Sequence, residues 1–336
     1  MKLTFSERTL WPRTAFTLSR ERIAERRSVF VGLEHDGLIG RGEGSPIARH
    51  GETAESCLAA LDRMRDAMAG ADPHDYETLI PSLRQFSPKD NAAMAAIDAA
   101  IMDWVGKARG LPLYGIHGAD PALMPPTSMT IAIDTPDQVR ERALEASGFH
   151  MLKLKLGGDH DRAMVEAIRV VTDVPLRGDA NEGYADREAA IREIEWLAER
   201  HVELIEQPLP AAKVDDMAWL KERSPIALIA DEACTGVEVI PDLAEVYHGI
   251  NIKTVKSGGT LAVKETIETA RQHGLSVMLG CTLESSLGIA AAAHLAPLVD
   301  YADLDGNLLL ANDPFDGHPI VDGRIFLRDT PGLGIA

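Results

Sequence analysis

The sequence predicts an α/β protein: a (β/α)8 barrel of the TIM type, preceded by a smaller α+β region. From about residue 127 onward, short apolar segments alternate with helical patterns, and there are eight such segments. Strands that alternate with helices at this period are typical of a parallel sheet, and eight of them suggest a closed barrel. The first 120 residues differ, because they contain a short β meander followed by helices.

The α+β region comes first in the chain. Residues 28–33 are typical of a strand and residues 35–37 of a turn, and residues 55–68 have the spacing of an amphipathic helix. Residues 91–107 are rich in Ala and Met at helical spacing. We expect them to form a buried helix that Gly110 ends.

The barrel strands follow at regular intervals, with seven helical segments between them. The predicted strands are residues 127–133, 151–156, 176–181, 202–207, 227–231, 249–254, 276–281 and 301–305. We therefore expect two domains, an α+β capping domain over residues 1–120 and a barrel over residues 121–308. Residues 309–336 are expected to pack back on the first domain.

Composition excludes several classes of function. The 336 residues are 45% hydrophobic and 26% charged, as in a globular enzyme, with no apolar run long enough for a transmembrane helix. A net charge of −18 argues against nucleic acid or an anionic membrane as a partner. The three cysteines and the absence of an apolar signal at the N-terminus predict a cytoplasmic location. A homo-oligomer is left open.

Charged side chains interrupt the late part of consecutive apolar strands, where barrel active sites lie. They recur about every 22 to 27 residues, roughly one strand–helix unit, so we expect them at one height in the barrel. The second to sixth strands contribute Lys153 and Lys155, Asp179, Glu206, Asp231, and Lys253. Acids that only capped the following helices would not need to recur at the same position in each strand–helix unit.

The three acids predict a metal site. Asp179, Glu206 and Asp231 lie on adjacent strands, and three buried like charges are costly unless a cation neutralises them. A ligand set of oxygen atoms alone favours a hard ion, so we expect one Mg²⁺ per subunit.

The lysines indicate the type of reaction. Lys153 and Lys155 alternate with apolar residues and point to one side, whereas Lys253 lies on the opposite wall of the barrel. A carboxylate substrate at the metal would then have an ammonium group on each face of its α-carbon, an arrangement suited to moving a proton from one face to the other. Lys256 is interpreted as a loop or surface charge.

The motifs together resemble the enolase superfamily, in particular its muconate-lactonising-enzyme subgroup. The resemblance rests on the short motifs around the charged residues and on the end of the buried helix; these are residues 153–155, 179–181, 206–208, 231–232, 253–259, 103–107 and 111–114. It implies a capping domain over a modified barrel and a magnesium-stabilised enolate intermediate. It further implies Asp179, Glu206 and Asp231 as ligands, Lys155 and Lys253 as the acid/base pair, and Lys153 as support for the substrate carboxylate.

The last strand indicates the substrate. Asp303 and Asp305 alternate, so both face inward and suit a cationic group. In dipeptide epimerases of the subgroup such a pair holds the substrate's α-ammonium, and Thr130 and Cys281 lie where those enzymes contact the dipeptide. The resemblance thus implies epimerisation of a dipeptide, with L-Ala-D/L-Glu and peptidoglycan recycling as the implied substrate and role.

Other functions on the same scaffold stay open. An o-succinylbenzoate synthase type of lyase and an N-acylamino acid racemase share the lysines and the metal, but their substrates have no ammonium group for Asp303 and Asp305. A two-carboxylate glycoside hydrolase would leave the interior lysines without a role. The loop over residues 20–27 holds four arginines and two glutamates, so the side-chain preference is open and leans to Glu.

Overall fold

The first part of the chain forms a three-stranded antiparallel sheet with helices packed on it. The computed structural model of the protein describes residues 1–19 and 21–335. The sheet order is β1-β4-β5, and a separate two-stranded ribbon pairs β2 with β3. The bounds are β1 (Lys2–Leu10), β2 (Phe16–Thr17), β3 (Arg22–Ile23), β4 (Arg26–His35), β5 (Leu38–Gly44), α1 (Ala54–Met68), α2 (Tyr76–Leu83), α3 (Asn91–Arg109) and α4 (Leu113–His117).

Helix α3 is the centre of this region and confirms the predicted buried helix. Asp90 caps its start by accepting a hydrogen bond from the Ala93 N–H, and Gly110 ends it in a left-handed conformation. Its small residues permit close approach of β5, which presents Gly40, Gly42 and Gly44. A Cβ at any of these glycines would overlap a carbonyl oxygen of α3.

Eight parallel strands form the second and larger sheet, with a helix in each of the seven connections. The strands are β6 (Met129–Ile131), β7 (Leu152–Lys155), β8 (Leu176–Asp179), β9 (Val202–Glu206), β10 (Ala227–Ala230), β11 (Gly249–Lys253), β12 (Ser276–Gly280) and β13 (Tyr301–Asp303). The helices are α5 (Pro136–Glu145), α6 (Asp161–Arg169), α7 (Arg187–Ala198), α8 (Val214–Lys221), α9 (Ile240–Val246), α10 (Thr254–Ser257), α11 (Thr260–Gln272) and α12 (Ser286–Ala293).

The strands are hydrogen-bonded in chain order from β6 to β13. The seam between the first and last strands is closed by a parallel bridge between Thr127 and Ala302 and by the Ser128 N–H, which donates to the Ala302 oxygen at 3.2 Å. The predicted fold class, a modified (β/α)8 barrel with an α+β cap, is confirmed. No helix in the described part of the chain has the length and apolar character needed to cross a membrane.

The C-terminal segment contacts both cores. Leu310, Leu333 and Ile335 are buried among the capping helices and sheet. Ile325 and Leu327, by contrast, belong to the apolar layer outside the barrel strands. This segment also carries the hairpin of β14 (Ile320–Val321) and β15 (Arg324–Ile325). Domain boundaries at residues 120/121 and 308/309 stay a prediction.

Candidate active site

The register of the barrel strands sets the height of the charged side chains. Lys155 pairs with Asp179 across β7 and β8, and Asp179 pairs with Glu206 across β8 and β9. These three therefore lie side by side at the carboxyl end of the sheet, as their spacing predicts. Lys253 is the last residue of β11, and Asp231 directly follows β10.

Each acid of the three central strands contacts at least one lysine. Lys155 Nζ lies 2.6 Å from Asp179 Oδ2, and Lys253 Nζ lies 2.8 Å from Asp231 Oδ2. Lys153 is deeper and only 1% exposed. Its Nζ lies 2.7 Å from Glu206 Oε2 and 3.2 Å from Asp179 Oδ2. The predicted acids and lysines thus form one buried cluster.

The interpretation of Lys256 as a loop or surface charge is wrong. Lys256 is 6% exposed, and its ammonium group donates to Asp231 Oδ1 at 2.7 Å, to the Asp231 main-chain oxygen at 2.7 Å and to the Asn251 oxygen at 2.9 Å. The short helix α10 turns the chain back under the strand end, which brings this side chain into the cluster. Asn251, which sequence reasoning missed, donates to Glu206 Oε1 at 2.7 Å.

The burial and the charges in the cluster shift the pKa values of the acids in opposite directions. Burial raises the pKa of Glu206 to about 8, and the nearby charge of Asp179 adds to the shift. Burial alone would raise the pKa of Asp179, but Lys155 and Lys153 together lower it. The same competition lowers the pKa of Asp231, where Lys253 and Lys256 outweigh burial. Glu206 is therefore the acid whose ionisation is least compensated.

The donor set suits a divalent cation of the hard type. Three carboxylates supply oxygen ligands, the donor type that such a cation prefers. Within residues 1–19 and 21–335, no three His, Cys, Asp or Glu side chains already converge as a closed metal-binding group. Lysine ammonium groups bridge the acids instead, and the ligand set stays a prediction.

The two acids of the last barrel strand have different partners. Asp303 accepts hydrogen bonds from Lys153 Nζ at 2.6 Å and from Ser128 Oγ at 2.7 Å. Asp305 accepts from the Thr130 N–H at 2.6 Å and from Thr130 Oγ1 at 3.2 Å. Burial raises the pKa of Asp305 to about 7 with help from the charge of Asp303. For Asp303, Lys153 outweighs burial and lowers the pKa to about 2.

A cavity of about 450 Å³ lies over the cluster, between the barrel mouth and the capping region. Cys281 and Thr130 line it, as the sequence analysis expected, together with Asp303, Asp305 and the lysines. The capping region contributes a second wall, formed by Phe16, Leu18, Glu21, Ile23, Arg26 and residues 47–50. Burial, together with nearby acids, raises the pKa of the Cys281 thiol, so it is a neutral wall.

Some described residues of the loop over residues 20–27 lie on the protein surface, and others line the cavity. Arg20 lies outside the described residues. Arg27 is exposed and pairs with Glu7 and Glu55 on the surface. Glu21 and Arg26 line the cavity, so the described residues of this loop present one anionic and one cationic side chain to a ligand. The preference for a substrate side chain therefore stays a prediction.

Two family descriptions match consecutive parts of the chain. Residues 3–118 match the mandelate racemase/muconate lactonizing enzyme N-terminal domain. Residues 135–336 match the enolase C-terminal domain-like family. The two matches correspond to the capping region and to the barrel with the C-terminal segment.

Named relatives and solved structures extend the similarity over the whole chain. The L-Ala-D/L-Glu epimerase of Bacteroides thetaiotaomicron is 42% identical over 336 residues, which cover 100% of this chain and 88% of that protein. A dipeptide epimerase from Enterococcus faecalis, complexed with Mg and L-Leu-L-Tyr, has a TM-score of 0.93 at 31% identity and covers 99% of this chain and 98% of its own. The Methylococcus capsulatus dipeptide epimerase, complexed with Mg and L-Arg-D-Lys, has a TM-score of 0.91 at 33% identity, with coverages of 99% and 98%. The chain therefore belongs to the mandelate racemase/muconate lactonizing enzyme family of the enolase superfamily.

Proposed function

We propose that this protein is a Mg²⁺-dependent dipeptide epimerase, an isomerase that inverts the α-carbon of the substrate's C-terminal residue. One arrangement carries the proposal. Lys155 and Lys253 end strands β7 and β11, three strands lie between them, and both side chains line one cavity. A substrate carbon held between them has a base on one face and an acid on the other.

The chemistry is a proton transfer between two faces. One lysine, in its neutral form, removes the α-proton, and the other, as an ammonium, returns a proton to the opposite face. Asp179, Glu206 and Asp231 would hold Mg²⁺, which supplies positive charge for the substrate carboxylate as negative charge develops there. Lys153 would add a second fixed positive charge below that carboxylate. Asp303 and Asp305 would bind the α-ammonium of the N-terminal residue.

The similar proteins support a dipeptide as the substrate. Which dipeptide this chain uses is a more specific proposal. Similar proteins include an L-Ala-D/L-Glu epimerase, a hydrophobic dipeptide epimerase and an L-Lys-D/L-Arg epimerase, so their substrates are acidic, apolar and cationic dipeptides. We favour L-Ala-D/L-Glu, with peptidoglycan recycling as the role, because the most similar of these relatives bears that name. Arg26 in the cavity wall is a cation that suits a side-chain carboxylate.

The experiment is a substrate screen with purified full-length protein and Mg²⁺. A library of L,L-dipeptides with acidic, apolar and basic C-terminal residues is incubated, and formation of the L,D product is followed by chiral chromatography. The proposal requires turnover that chelation abolishes, with L-Ala-L-Glu among the best substrates. Turnover of N-acyl amino acids but of no dipeptide would contradict it.

A further inference from the structure

Two buried acids lie beside the cavity without contacting the proposed acid/base lysines. Glu43, near the end of β5 in the capping sheet, is 2% exposed, and Glu284, in the loop after β12 of the barrel, is 1% exposed. A Cβ built on Gly288 would lie 2.8 Å from Glu284 Oε2 and 3.0 Å from Glu43 Oε2. The two carboxyl groups therefore face the same point at the start of α12, where the capping sheet meets the barrel.

Glu43 joins the capping sheet to the barrel. Its oxygens accept hydrogen bonds from the Ser285 N–H at 3.1 and 3.2 Å, from the Gly288 N–H at 3.1 Å and from the Ser285 hydroxyl. Ser45, two residues further on, donates to the Leu283 oxygen at 3.4 Å. All of these groups are buried, so the end of β5 is bonded to a single segment of the barrel rim.

Glu284 belongs to the same segment of the barrel rim and forms hydrogen bonds within it. Its Oε1 accepts from the Thr282 N–H at 2.8 Å and from Thr282 Oγ1 at 3.2 Å, which closes a tight local turn. The turn presents Cys281, Thr282 and Leu283 to the cavity. Burial and the charge of Glu43 raise the pKa of Glu284 to about 7, and burial also raises the pKa of Glu43.

We propose that Glu43 and Glu284 are positioning residues that fix the cavity-lining residues 281–283 against the capping sheet and thereby set substrate affinity. Neither carboxyl group lines the cavity, so each acts through the residues that it holds. A displaced wall weakens binding without removing either lysine. The effect should therefore fall on KM more than on kcat.

The test has a readout that does not depend on the proposed reaction. Cys57 is 0% exposed and Cys234 is 3% exposed, whereas Cys281 is partly exposed in the cavity wall. The Cys281 thiol is neutral near pH 7, so its alkylation by iodoacetamide is followed at pH 9 by peptide mass spectrometry. The charge of Glu284 also raises the pKa of this thiol, so the order of the wall is judged by comparing E284A with E284Q, which both lack that charge. KM and kcat for L-Ala-L-Glu with Mg²⁺ give the second readout, which alone rests on the proposed function.

Three variants test whether the two carboxyl groups position the wall, and one control variant changes stability alone. E284A should raise KM about tenfold over the wild type, should be alkylated about tenfold faster than E284Q, and should change kcat less than about threefold. E284Q should recover most of that loss, since its amide oxygen can accept both Thr282 bonds. E43Q should resemble E284A, because an amide N–H₂ would face the Ser285 and Gly288 donors.

The control is D103A. Asp103 is a buried acid that accepts from the Arg41 N–H of β5 at 2.8 Å and from the Leu333 N–H at 2.8 Å, away from the cavity. D103A should lower the Tm and leave alkylation and KM unchanged. Folded E284A with the alkylation rate of E284Q and the KM of the wild type would overturn the inference, as would equal effects in D103A. If the protein epimerises no dipeptide, the alkylation rates still decide this question.

Discussion

The ammonium group of Lys256 holds Asp231 at two points, since its Nζ lies 2.7 Å from the carboxylate Oδ1 and 2.7 Å from the main-chain oxygen of the same residue. The other carboxylate oxygen, Oδ2, contacts Lys253. Asp231 is thus fixed in orientation by one lysine and paired with the second, which is proposed to transfer protons. The orientation of this proposed metal ligand is therefore set by Lys256, a buried side chain that also lines the cavity.

Replacing Lys256 should therefore destabilise the fold as well as the site. K256M leaves the Asp231 carboxylate buried with one partner fewer, so the free energy of unfolding should fall by about 3–5 kcal/mol. Urea denaturation followed by tryptophan fluorescence measures it. K2M is the control, because the Lys2–Glu34 pair is exposed and contributes little. Equal, small changes in both variants would contradict the structural role of Lys256.

Cation binding should release a proton near neutral pH. The pKa of Glu206 is raised to about 8 by burial and by Asp179, so most Glu206 is protonated at pH 7. Mg²⁺ favours the ionised carboxylate and should displace up to about one proton at pH 7 and almost none at pH 9.5. Calorimetric titration in two buffers of different ionisation enthalpy counts the protons. The release should vanish in E206Q, and a release that is the same at both pH values argues against this assignment.

The acids of the last barrel strand should require a free amino group on the substrate. Asp303 is already paired with Lys153. Asp305, by contrast, is 2% exposed and accepts from the Thr130 N–H and hydroxyl, with its pKa raised, so a ligand without a cation leaves the buried Asp305 carboxylate uncompensated. N-acetylation of L-Ala-L-Glu should lower kcat/KM by about 10²-fold or more. The comparison uses the same protein and Mg²⁺ concentration for both compounds. Similar kcat/KM values for both would favour the N-acylamino acid racemase alternative.

A group of buried histidines should make the protein sensitive to acid. Burial lowers the pKa of His117 and His294 to about 3 and that of His318 to about 4. Their unfolded-state pKa is about 6.5, so the unfolded chain binds more protons and stability should be lost as the pH falls from about 6.5 towards 3.

H294Q isolates one of these contributions. A Gln can accept from the Tyr114 N–H and donate to the Leu333 oxygen, as the His294 ring does. The slope of unfolding free energy against pH between 6 and 4 should be shallower than in the wild type by up to about 1.4 kcal/mol per pH unit. Urea melts at several pH values give both slopes. Parallel curves would mean that His294 is not the titrating group.

Much of the architecture follows from local patterns that the sequence displays openly. The barrel strands are short apolar runs, and a charge at the end of each run needs only the strand period to be placed at the barrel mouth. Lys155, Asp179 and Glu206 therefore fall at one height, as their spacing predicts. Family resemblance then supplies roles that spacing alone cannot.

Other features depend on contacts between distant parts of the chain. Strand β1 contains apolar residues at positions 3, 5 and 10 among polar and charged ones and leaves one face exposed, so it has no strong hydrophobic signal of its own. Lys256 is buried only because α10 turns back beneath Asp231. Glu43 and Glu284 are 241 positions apart in the sequence and meet only where the two domains pack. No local sequence pattern predicts such long-range contacts.

The central proposal is that Lys155 and Lys253 each transfer a proton on one face of the substrate α-carbon. It is tested by hydrogen–deuterium exchange at the substrate α-carbon in D₂O, followed by mass spectrometry on the L,L and L,D forms of the preferred dipeptide. K155A and K253A should each abolish epimerisation, and each should keep exchange with one epimer only, the two variants with opposite epimers. Loss of the same epimer's exchange in both variants, or continued epimerisation in either, would contradict a two-lysine proton transfer.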